Sequence, residues 1–391
     1  MMKKYLWSFT LSAVVLAGCG KKEEPPAPVA APAPVASAPA AAPVAVNTEE
    51  KVLNIYNWPD YVPEGMIAAF EAETGIKVNY DTFETNEALH AKLVAGNTGY
   101  DIVVPGSVFA KPQIEGGLLQ PLDKSKIKNL SNLDPAIMAT LATKTDPDNK
   151  YLVPWAWGFT TVGINKTKVA KALGKTPMPE NAWDLVFKPE YTSKLKSCGI
   201  AYLDSPTEII PVALHYIGKD AYSNDPADYK AATDMLAKVR KDVRIFSSTM
   251  IDDIAGGKAC VAIGWSGDIN IAANRAKENK SKDEIESLLP STGALIFFDT
   301  MALTKDAKHP NNAQAFIDFY LRAENAALMT NKMNYPTANN AAMEKISPEI
   351  SGNKTIFVDA DYFAKMIPPS SFTNEAREAM ANAYNSFKKG K

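Results

Sequence analysis

The sequence predicts an α/β protein, and three observations lead to that class. Residues 52–56 and 76–80 alternate apolar and polar side chains, as half-buried strands do. A helical pattern follows each of these strands, and a short apolar run at 101–105 ends the series. Five alternating elements within about 55 residues are typical of a mainly parallel sheet covered by helices. Because the whole chain has 391 residues, we expect two domains.

Each of the two predicted helices presents one apolar face. Met66 and Phe70 lie one turn apart in the first helix, and Leu89 and Leu93 do so in the second. Both patterns stop at a glycine, a residue type that commonly ends helices. The final run is mostly apolar, which is typical of strands that are buried on both faces of a parallel sheet.

Aromatic and acidic residues follow several of the predicted strands. The first strand leads into 57–61 (NWPDY), and the third into 105–109 (PGSVF). A later strand leads into 264–268 (GWSGD), and the predicted strand 294–298 leads into Asp299. Because binding loops in such sheets lie beyond the carboxyl ends of the strands, we expect these residues to form a site.

Tryptophan and aspartate together suit one kind of ligand, an organic cation with an apolar middle. An ammonium group only donates hydrogen bonds, so carboxylates and carbonyl groups must surround it. Aromatic faces add cation–π attraction and enclose methylene groups. The alternative for any one residue is a structural role, with the tryptophans in lobe packing and the aspartates as helix caps.

Composition and motifs exclude several other functions. A formal net charge of −2 lacks the basic surface that generic nucleic-acid binding needs. His90, His215 and His309 lie far apart and the cysteines form no CxxC, so we expect neither metal nor cofactor. The segment 264–267 is not a GxSxG nucleophile motif, because its second glycine comes one position early.

The N-terminus has the pattern of an export signal. Lys3 and Lys4 precede an apolar run at 6–16, which is too short for a permanent membrane-spanning helix. The run ends in LAGC, which resembles a bacterial lipobox, so we expect cleavage of residues 1–18 and lipidation of Cys19. The alternative is an ordinary secretory signal with a chance cysteine.

A stalk is predicted after the lipidation site, over residues 19–50. Its segment 25–46 is dominated by proline and alanine and cannot build a core. Such a composition favours a semi-rigid, largely polyproline-II spacer, and the alternative is a spacer of no particular stiffness.

Two cysteines remain in the exported body, Cys198 and Cys260. In an oxidising compartment such a pair more often forms a disulfide than stays reduced. The bridge would close a loop of about 60 residues and contribute roughly 3–4 kcal/mol in the chain-entropy model. The alternative is two buried free thiols.

Several segments resemble the polyamine-binding proteins of bacterial ABC transporters. A further segment, 195–199 (LKSCG), is similar to the putrescine-binding branch of that family. The resemblance extends from about residue 51 to the C-terminus. Its other segments are 53–61 (LNIYNWPDY), 73–78 (ETGIKV), 100–105 (YDIVVP), 122–126 (LDKSK) and 264–268 (GWSGD).

The resemblance implies a two-lobed α/β fold of the type II periplasmic-binding class, in which crossover strands join the lobes and the ligand lies between them. By comparison with the family, lobe one comprises 51–153 and 276–350, and lobe two comprises 154–275 and 351–391. The resemblance also implies a monomeric receptor that delivers its ligand to the permease of an ABC importer. Such a receptor has no cofactor and no enzymatic activity.

The resemblance also implies a set of ligand-binding residues. Asp268 and Asp299 match acceptors for one ammonium group, Glu208 matches the acidic partner of another donor, and Asp60 matches an acid of the first cleft loop. Ser107 stands in the loop where the family carries serine. The aromatic positions around the methylene chain are matched by Trp58, Tyr61, Trp265, Phe297 and Tyr335. The paired cysteines of the putrescine branch match Cys198 and Cys260.

Four positions bear on the choice of ligand. Pro59, Gly106 and Val108 stand where relatives carry hydroxyl residues, so side-chain hydrogen bonds are missing there. Ser205 lies near the position of an extra acid in spermidine-preferring relatives, which favours a diamine. We therefore expect a lipid-anchored receptor for putrescine, or for spermidine, on the periplasmic side of a bacterial membrane. The alternatives are a polyamine sensor without a transport role and an enzyme acting on amines.

Overall fold

The computed structural model describes residues 48–390. The predicted signal peptide at 1–18, Cys19 and the stalk up to residue 47 lie outside the described residues. No helix of the described part is both long enough and apolar enough to cross a membrane.

The described chain alternates strands and helices from its first element onward. The strands are β1 (Val52–Asn57), β2 (Lys77–Thr82), β3 (Ile102–Val103), β4 (Leu119–Gln120), β5 (Val153–Asn165), β6 (Ile200–Tyr202), β7 (Ile245–Phe246), β8 (Val261–Trp265), β9 (Ile285–Ser287) and β10 (Leu295–Thr304). The helices are α1 (Met66–Thr74), α2 (Asn86–Ala95), α3 (Ser107–Glu115), α4 (Pro135–Lys144), α5 (Lys166–Leu173), α6 (Asp184–Phe187), α7 (Pro189–Leu195), α8 (Pro206–Tyr216), α9 (Pro226–Ala237), α10 (Met250–Ala255), α11 (Ser266–Glu278), α12 (Pro310–Tyr320), α13 (Ala323–Met333), α14 (Pro348–Ser351), α15 (Ala360–Phe363) and α16 (Asn374–Lys388).

The strands pair in the order β2-β1-β3-β10-β5-β8-β6-β7, with β4 beside β10 and β9 beside β5. In one half β1 runs parallel to β2 and β3, and in the other β6 runs parallel to β7 and β8. The central strands β5 and β10 run antiparallel to each other and to their neighbours. The predicted α/β class with parallel pairing is confirmed.

Two separate apolar cores lie on the two halves of this sheet. The first half is the part of the chain that packs on β1 and β3, where Leu53, Phe70 and Phe316 are fully buried. The second half is the part that packs on β6 and β8, where Ile200 and Ile263 are buried. We call these halves lobe one and lobe two, and the lobe boundaries given in the sequence analysis stay predictions.

The long strands β5 and β10 join the two lobes. Val153 of β5 packs in the core of lobe one, whereas Val162 of the same strand packs in the core of lobe two. Met301 and Leu295 of β10 divide between the two cores in the same way. Every residue of β5 is buried, so its side chains do not alternate between buried and exposed positions.

The sequence prediction differs from the structure at one later strand. The strand predicted at 294–298 continues to Thr304, so Asp299 lies inside β10 rather than after it. The pairing register of β10 with β5 shifts between Asp299 and Thr300, and such a bulge redirects a side chain without ending the strand.

A disulfide joins Cys198 and Cys260, as expected from the exported setting of the two cysteines. The bridge links the turn after α7 to the residue that precedes β8. Strand β8 then ends at Trp265, one of the predicted site residues. The disulfide therefore holds the start of β8 in place, and the other end of β8 carries the predicted site residue Trp265.

We predict that the double variant Cys198→Ala/Cys260→Ala unfolds with a free energy lower by roughly 2–4 kcal/mol, because the unfolded chain regains the entropy of the open loop. Urea unfolding of the variant and of the oxidised wild type measures the difference. Wild-type protein under a reducing agent is the matched control and should approach the stability of the variant. Equal stability of the oxidised wild type and the variant would contradict the prediction.

Candidate functional site

One cavity of about 280 Å³ lies between the two lobes, a size suited to a small molecule. All ten residues that the sequence comparison selected lie around it. They are Trp58, Asp60, Tyr61, Ser107, Glu208, Trp265, Asp268, Phe297, Asp299 and Tyr335. The structure therefore brings together residues that are up to 277 positions apart in the sequence (335 − 58).

Both lobes and a crossover strand contribute to the cavity wall. Lobe one supplies the loop after β1, the first turn of α3 and the segment after α13. Lobe two supplies the first turn of α8, the end of β8 and the first turn of α11. Phe297 and Asp299 come from β10, which belongs to both lobes. Any relative movement of the lobes would therefore change the shape of the cavity.

Asp299 is the most enclosed acid of the cavity, with 6% of its surface exposed. Its Oδ2 accepts a hydrogen bond of 2.7 Å from the hydroxyl group of Tyr61. The pKa of Asp299 is raised to about 7, mainly by burial and also by the negative charges of Glu208 and Asp268, against the lowering effect of the Tyr61 hydroxyl. A nearby cation would favour the ionised form of this carboxyl group.

Asp268 has the same arrangement with a different tyrosine. Its Oδ1 accepts a hydrogen bond of 2.6 Å from the hydroxyl group of Tyr335. Burial raises the pKa of Asp268 to about 7, mainly against the lowering effect of the Tyr335 hydrogen bond. Because Asp268 belongs to lobe two and Tyr335 to lobe one, this hydrogen bond also connects the lobes.

Glu208 is the third carboxyl group of this kind. Its Oε2 accepts a hydrogen bond of 2.6 Å from the hydroxyl group of Thr160. Burial raises the pKa of Glu208 to about 7, while hydrogen bonds from Thr160 and Trp265 lower it and the charge of Glu87 raises it. Glu208 therefore completes a set of three carboxyl groups in one cavity whose pKa values are all raised to about 7.

Asp60 differs from these three acids because a cation is already close to it. Its side chain is half exposed, and its Oδ1 lies 3.7 Å from Nη2 of Arg275. Nη1 of the same arginine lies 2.5 Å from Oδ1 of Asp252, another residue that lines the cavity. Arg275 therefore compensates two acids at the rim, one from each lobe.

The acidic character of the cavity is not balanced by its other walls. None of the described residues that line it is a lysine, an arginine or a histidine. Arg275 compensates Asp60 and Asp252 from outside this lining. The acidic lining residues are Asp60, Glu84, Glu208, Asp252, Asp268 and Asp299. In residues 48–390 no group of three or more His, Cys, Asp and Glu side chains is placed to hold a metal ion.

The aromatic residues meet edge to face across the cavity. The ring centroids of Trp58 and Trp265, one from each lobe, lie 5.8 Å apart. Those of Tyr61 and Tyr335 lie 4.9 Å apart. A side chain at Gly267 would place its Cβ 2.2 Å from the ring of Tyr335, so the second glycine of the GWSGD segment makes room for this wall.

Ser107 has a structural contact in addition to its place in the lining. Its Oγ accepts a hydrogen bond of 3.4 Å from the backbone N–H of Phe298, and its side chain is buried. The serine therefore fastens the start of α3 to β10, next to Asp299.

Sequence reasoning missed several residues of the cavity. Pro59, Gly106, Val108 and Phe109 lie in the segments 57–61 and 105–109, which the sequence predicts as part of the site. The missed lining residues stand beside Glu208 or come from the starts of α2 and α10, which carry no recognisable motif; they are Glu84, Asn86, Thr207, Ser248, Thr249, Ile251 and Asp252. The acidic pair at 84 and 87 was the available signal for the segment at the start of α2.

Comparisons with known proteins show which proteins this chain is similar to. The family model of the bacterial extracellular solute-binding proteins matches residues 65–358. The putrescine-binding periplasmic protein PotF of Escherichia coli (strain K12) is 44% identical over 345 residues, which cover 88% of this chain and 93% of the relative. The putrescine-binding periplasmic protein SpuD of Pseudomonas aeruginosa is 42% identical over 349 residues, 89% of this chain and 95% of the relative.

A solved structure shows the same similarity in three dimensions. The spermidine/putrescine ABC transporter substrate-binding protein PotD of Streptococcus pneumoniae matches with a TM-score of 0.70 and 28% identity. The match covers 87% of this chain and 99% of that chain. The family resemblance that the sequence segments indicated is confirmed.

We predict that Asp299→Asn stabilises the free protein at about pH 8. Because the pKa of Asp299 is higher in the folded than in the unfolded state, wild-type stability falls as pH rises from about 4 to about 7. The amide removes this cost and still accepts the Tyr61 hydrogen bond, so the free energy of unfolding should rise by about 1 kcal/mol or more. Urea unfolding at about pH 5 and pH 8 measures the gain, which should be larger at pH 8.

Asp252→Asn is the matched control, because its carboxylate is paired with Arg275. This variant should show no gain in stability. A loss of stability at pH 8 in Asp299→Asn would mean that the Asp299 carboxylate stabilises the folded chain.

Proposed function

The chain belongs to the family of bacterial extracellular solute-binding proteins, and we propose that it is the receptor of a polyamine ABC importer with putrescine as its ligand. Members of this family bind substrates and do not catalyse reactions. The observation that carries the proposal is the set of three carboxyl groups with raised pKa values in a cavity with aromatic walls. The two relatives described above are named as putrescine-binding periplasmic proteins.

In the proposed complex the diamine lies along the cavity. Asp268 and Asp299 accept hydrogen bonds from one ammonium group, and Glu208 accepts from the donors at the other end. Trp58 and Trp265, which meet between the lobes, enclose the methylene groups. Their faces add about 0.5–2 kcal/mol each through cation–π attraction.

Closure of the lobes is part of the proposal. The Oε1 atom of Glu87 in lobe one accepts hydrogen bonds from Thr207 at 2.7 Å and Ser205 at 3.2 Å, both in lobe two. The Tyr335–Asp268 hydrogen bond and the Asp60–Arg275 pair also join the lobes. These contacts form only when the lobes meet. A ligand that favours the closed form would therefore increase the population of closed protein, and a permease that recognises the closed form would thereby detect the bound ligand.

The diamine preference rests on charge. Arg275 already compensates Asp60 and Asp252, so fewer free carboxylates remain for a third ammonium group. Ser205 carries no charge and instead donates to Glu87. We therefore propose putrescine ahead of spermidine.

We predict that the body of the protein, residues 47–391, binds putrescine one to one with micromolar or tighter affinity, and spermidine more weakly. Asp268→Ala should weaken putrescine binding by roughly 2–5 kcal/mol, because it removes one of the two carboxylates that accept from a buried ammonium group. Isothermal titration of protein refolded to remove carried-over ligand measures both values, with glutamate as an anionic control.

Asp234→Ala is the matched control, since Asp234 pairs with Lys230 on the exposed face of α9. Tighter binding of spermidine would keep the polyamine site and reverse the preference. Unchanged affinity in Asp268→Ala would remove this residue from the site, and no binding of any polyamine would overturn the proposed function.

The proposed location is the periplasmic side of a bacterial membrane, with Cys19 as a lipid anchor. We predict that Cys19→Ser moves the protein from the membrane fraction to the soluble periplasmic fraction, because the anchor is lost. Fractionation and immunoblotting detect the change, and a protein that stays with the membrane would contradict the anchor.

Putrescine uptake in a deletion strain separates an importer from a sensor, because loss of a sensor would leave uptake intact.

A further inference from the structure

The chain turns sharply where helix α13 ends, directly before a residue of the site. Helix α13 ends at Met333, and the backbone N–H of Asn334 donates to the carbonyl group of Thr330 at 3.0 Å. Asn334 has a φ of 57° and a ψ of 22°, the left-handed conformation that glycine and asparagine adopt most readily. Tyr335 follows immediately, so the backbone of Asn334 sets the direction in which Tyr335 leaves the helix.

The side chain of Asn334 is bonded to helix α11 of the other lobe. Its Oδ1 accepts a hydrogen bond of 3.3 Å from Nδ2 of Asn274, and its Nδ2 donates to the carbonyl group of Lys332 at 3.3 Å. Because a carbonyl group only accepts, the bond to Lys332 fixes which end of the Asn334 amide faces Asn274. Asn334 is 2% exposed, so water does not compete for these bonds.

Tyr335 contacts the same helix near its first turn. Its hydroxyl group donates to Oδ1 of Asp268 at 2.6 Å, and its ring fills the space where a Cβ at Gly267 would extend. The carbonyl group of Pro336, the next residue, accepts a hydrogen bond of 3.0 Å from the N–H of Trp157 on β5. The segment 334–336 is therefore held between α11 and a crossover strand.

We propose that Asn334 is a positioning residue of the polyamine site, which holds Tyr335 so that its hydroxyl group reaches Asp268. The inference rests on the proposed function. The bond to Asn274 ties the turn at Asn334 to the helix that carries Asp268, and Asp268 is one of the proposed acceptors of the ammonium group. Asn334 itself does not line the cavity, so it acts on the ligand through Tyr335 and Asp268.

The variants Asn334→Gly and Asn274→Ala test this role from its two sides. Glycine keeps the left-handed conformation and removes the amide, whereas Asn274→Ala removes the donor and leaves the turn unchanged. Each variant should weaken putrescine binding about fivefold, on the scale of one neutral hydrogen bond. The double variant should bind no more weakly than the weaker single variant, because both changes remove the same bond. Isothermal titration measures the affinities.

A cycle with Tyr335→Phe separates positioning from a contact that only joins the lobes. If the Asn334–Asn274 bond acts through the Tyr335 hydroxyl group, adding Asn274→Ala to Tyr335→Phe should lower the affinity by less than about twofold. Losses that multiply in the combined variant would mean that the bond joins the lobes without positioning the tyrosine, and they would overturn the inference.

Proton release on binding gives a readout that a purely structural role would not change. The hydrogen bond from Tyr335 lowers the pKa of Asp268, so a misplaced Tyr335 leaves this carboxyl group with a higher pKa in the free protein. Binding of putrescine to Asn274→Ala or Asn334→Gly at about pH 8 should therefore release more protons than binding to the wild type.

Asn79→Ala is the matched control, because it removes another bond between two asparagine side chains, that of Asn79 to Asn54 at 2.8 Å, outside the cavity lining. It should leave affinity and proton release unchanged, and thermal unfolding confirms that each variant is folded. A wild type that binds no polyamine would overturn the proposed function and the inference with it. A wild type that binds putrescine, with unchanged affinity and proton release in Asn274→Ala, would overturn the inference alone.

Discussion

The arrangement of the cavity depends on one electrostatic constraint, the enclosure of three carboxyl groups without a lysine, arginine or histidine among the described residues that line it. Burial raises the pKa of Glu208, Asp268 and Asp299 to about 7, so ionising them in the free protein is unfavourable. A protein that keeps such a set loses stability and gains a strong preference for a small organic cation. Arg275 lies at the boundary of this region, where it pairs with Asp60 and Asp252, and its charge also lowers the pKa of Asp268, although burial outweighs this effect.

The fold makes this concentration of charge possible because it builds the site from separate lobes. The crossover strand β10 carries Asp299 between the two cores, and lobe two brings Asp268 and Glu208 from the first turns of α11 and α8. Tyr335 of lobe one bonds to Asp268 of lobe two, so a site residue is also a contact between the lobes. In the proposed mechanism ligand binding and lobe closure are therefore one event, because the same groups take part in both.

Much of this arrangement could be predicted from the sequence, because strand and helix patterns and the aromatic and acidic loop segments are local. The position of Asp299 could not, since it depends on a register shift between β10 and β5 rather than on the end of a strand. The same holds for Arg275, whose role depends on two acids that different lobes supply. Contacts that arise from packing can be identified only in the structure, whereas residue types and hydrophobic periodicity can be identified in the sequence.

The central claim is that these carboxyl groups are the acceptors of the ligand's ammonium groups, and proton release on binding tests it most directly. Because their pKa values are near 7 in the free protein, bound ammonium groups should lower them and expel protons. Titrations of putrescine at about pH 6.5 in two buffers of different ionisation enthalpy measure the number released. We predict about one proton or more per ligand at pH 6.5, a smaller number at about pH 8, and an affinity that rises between these values. Putrescine binding without proton release and with a constant affinity would contradict the account.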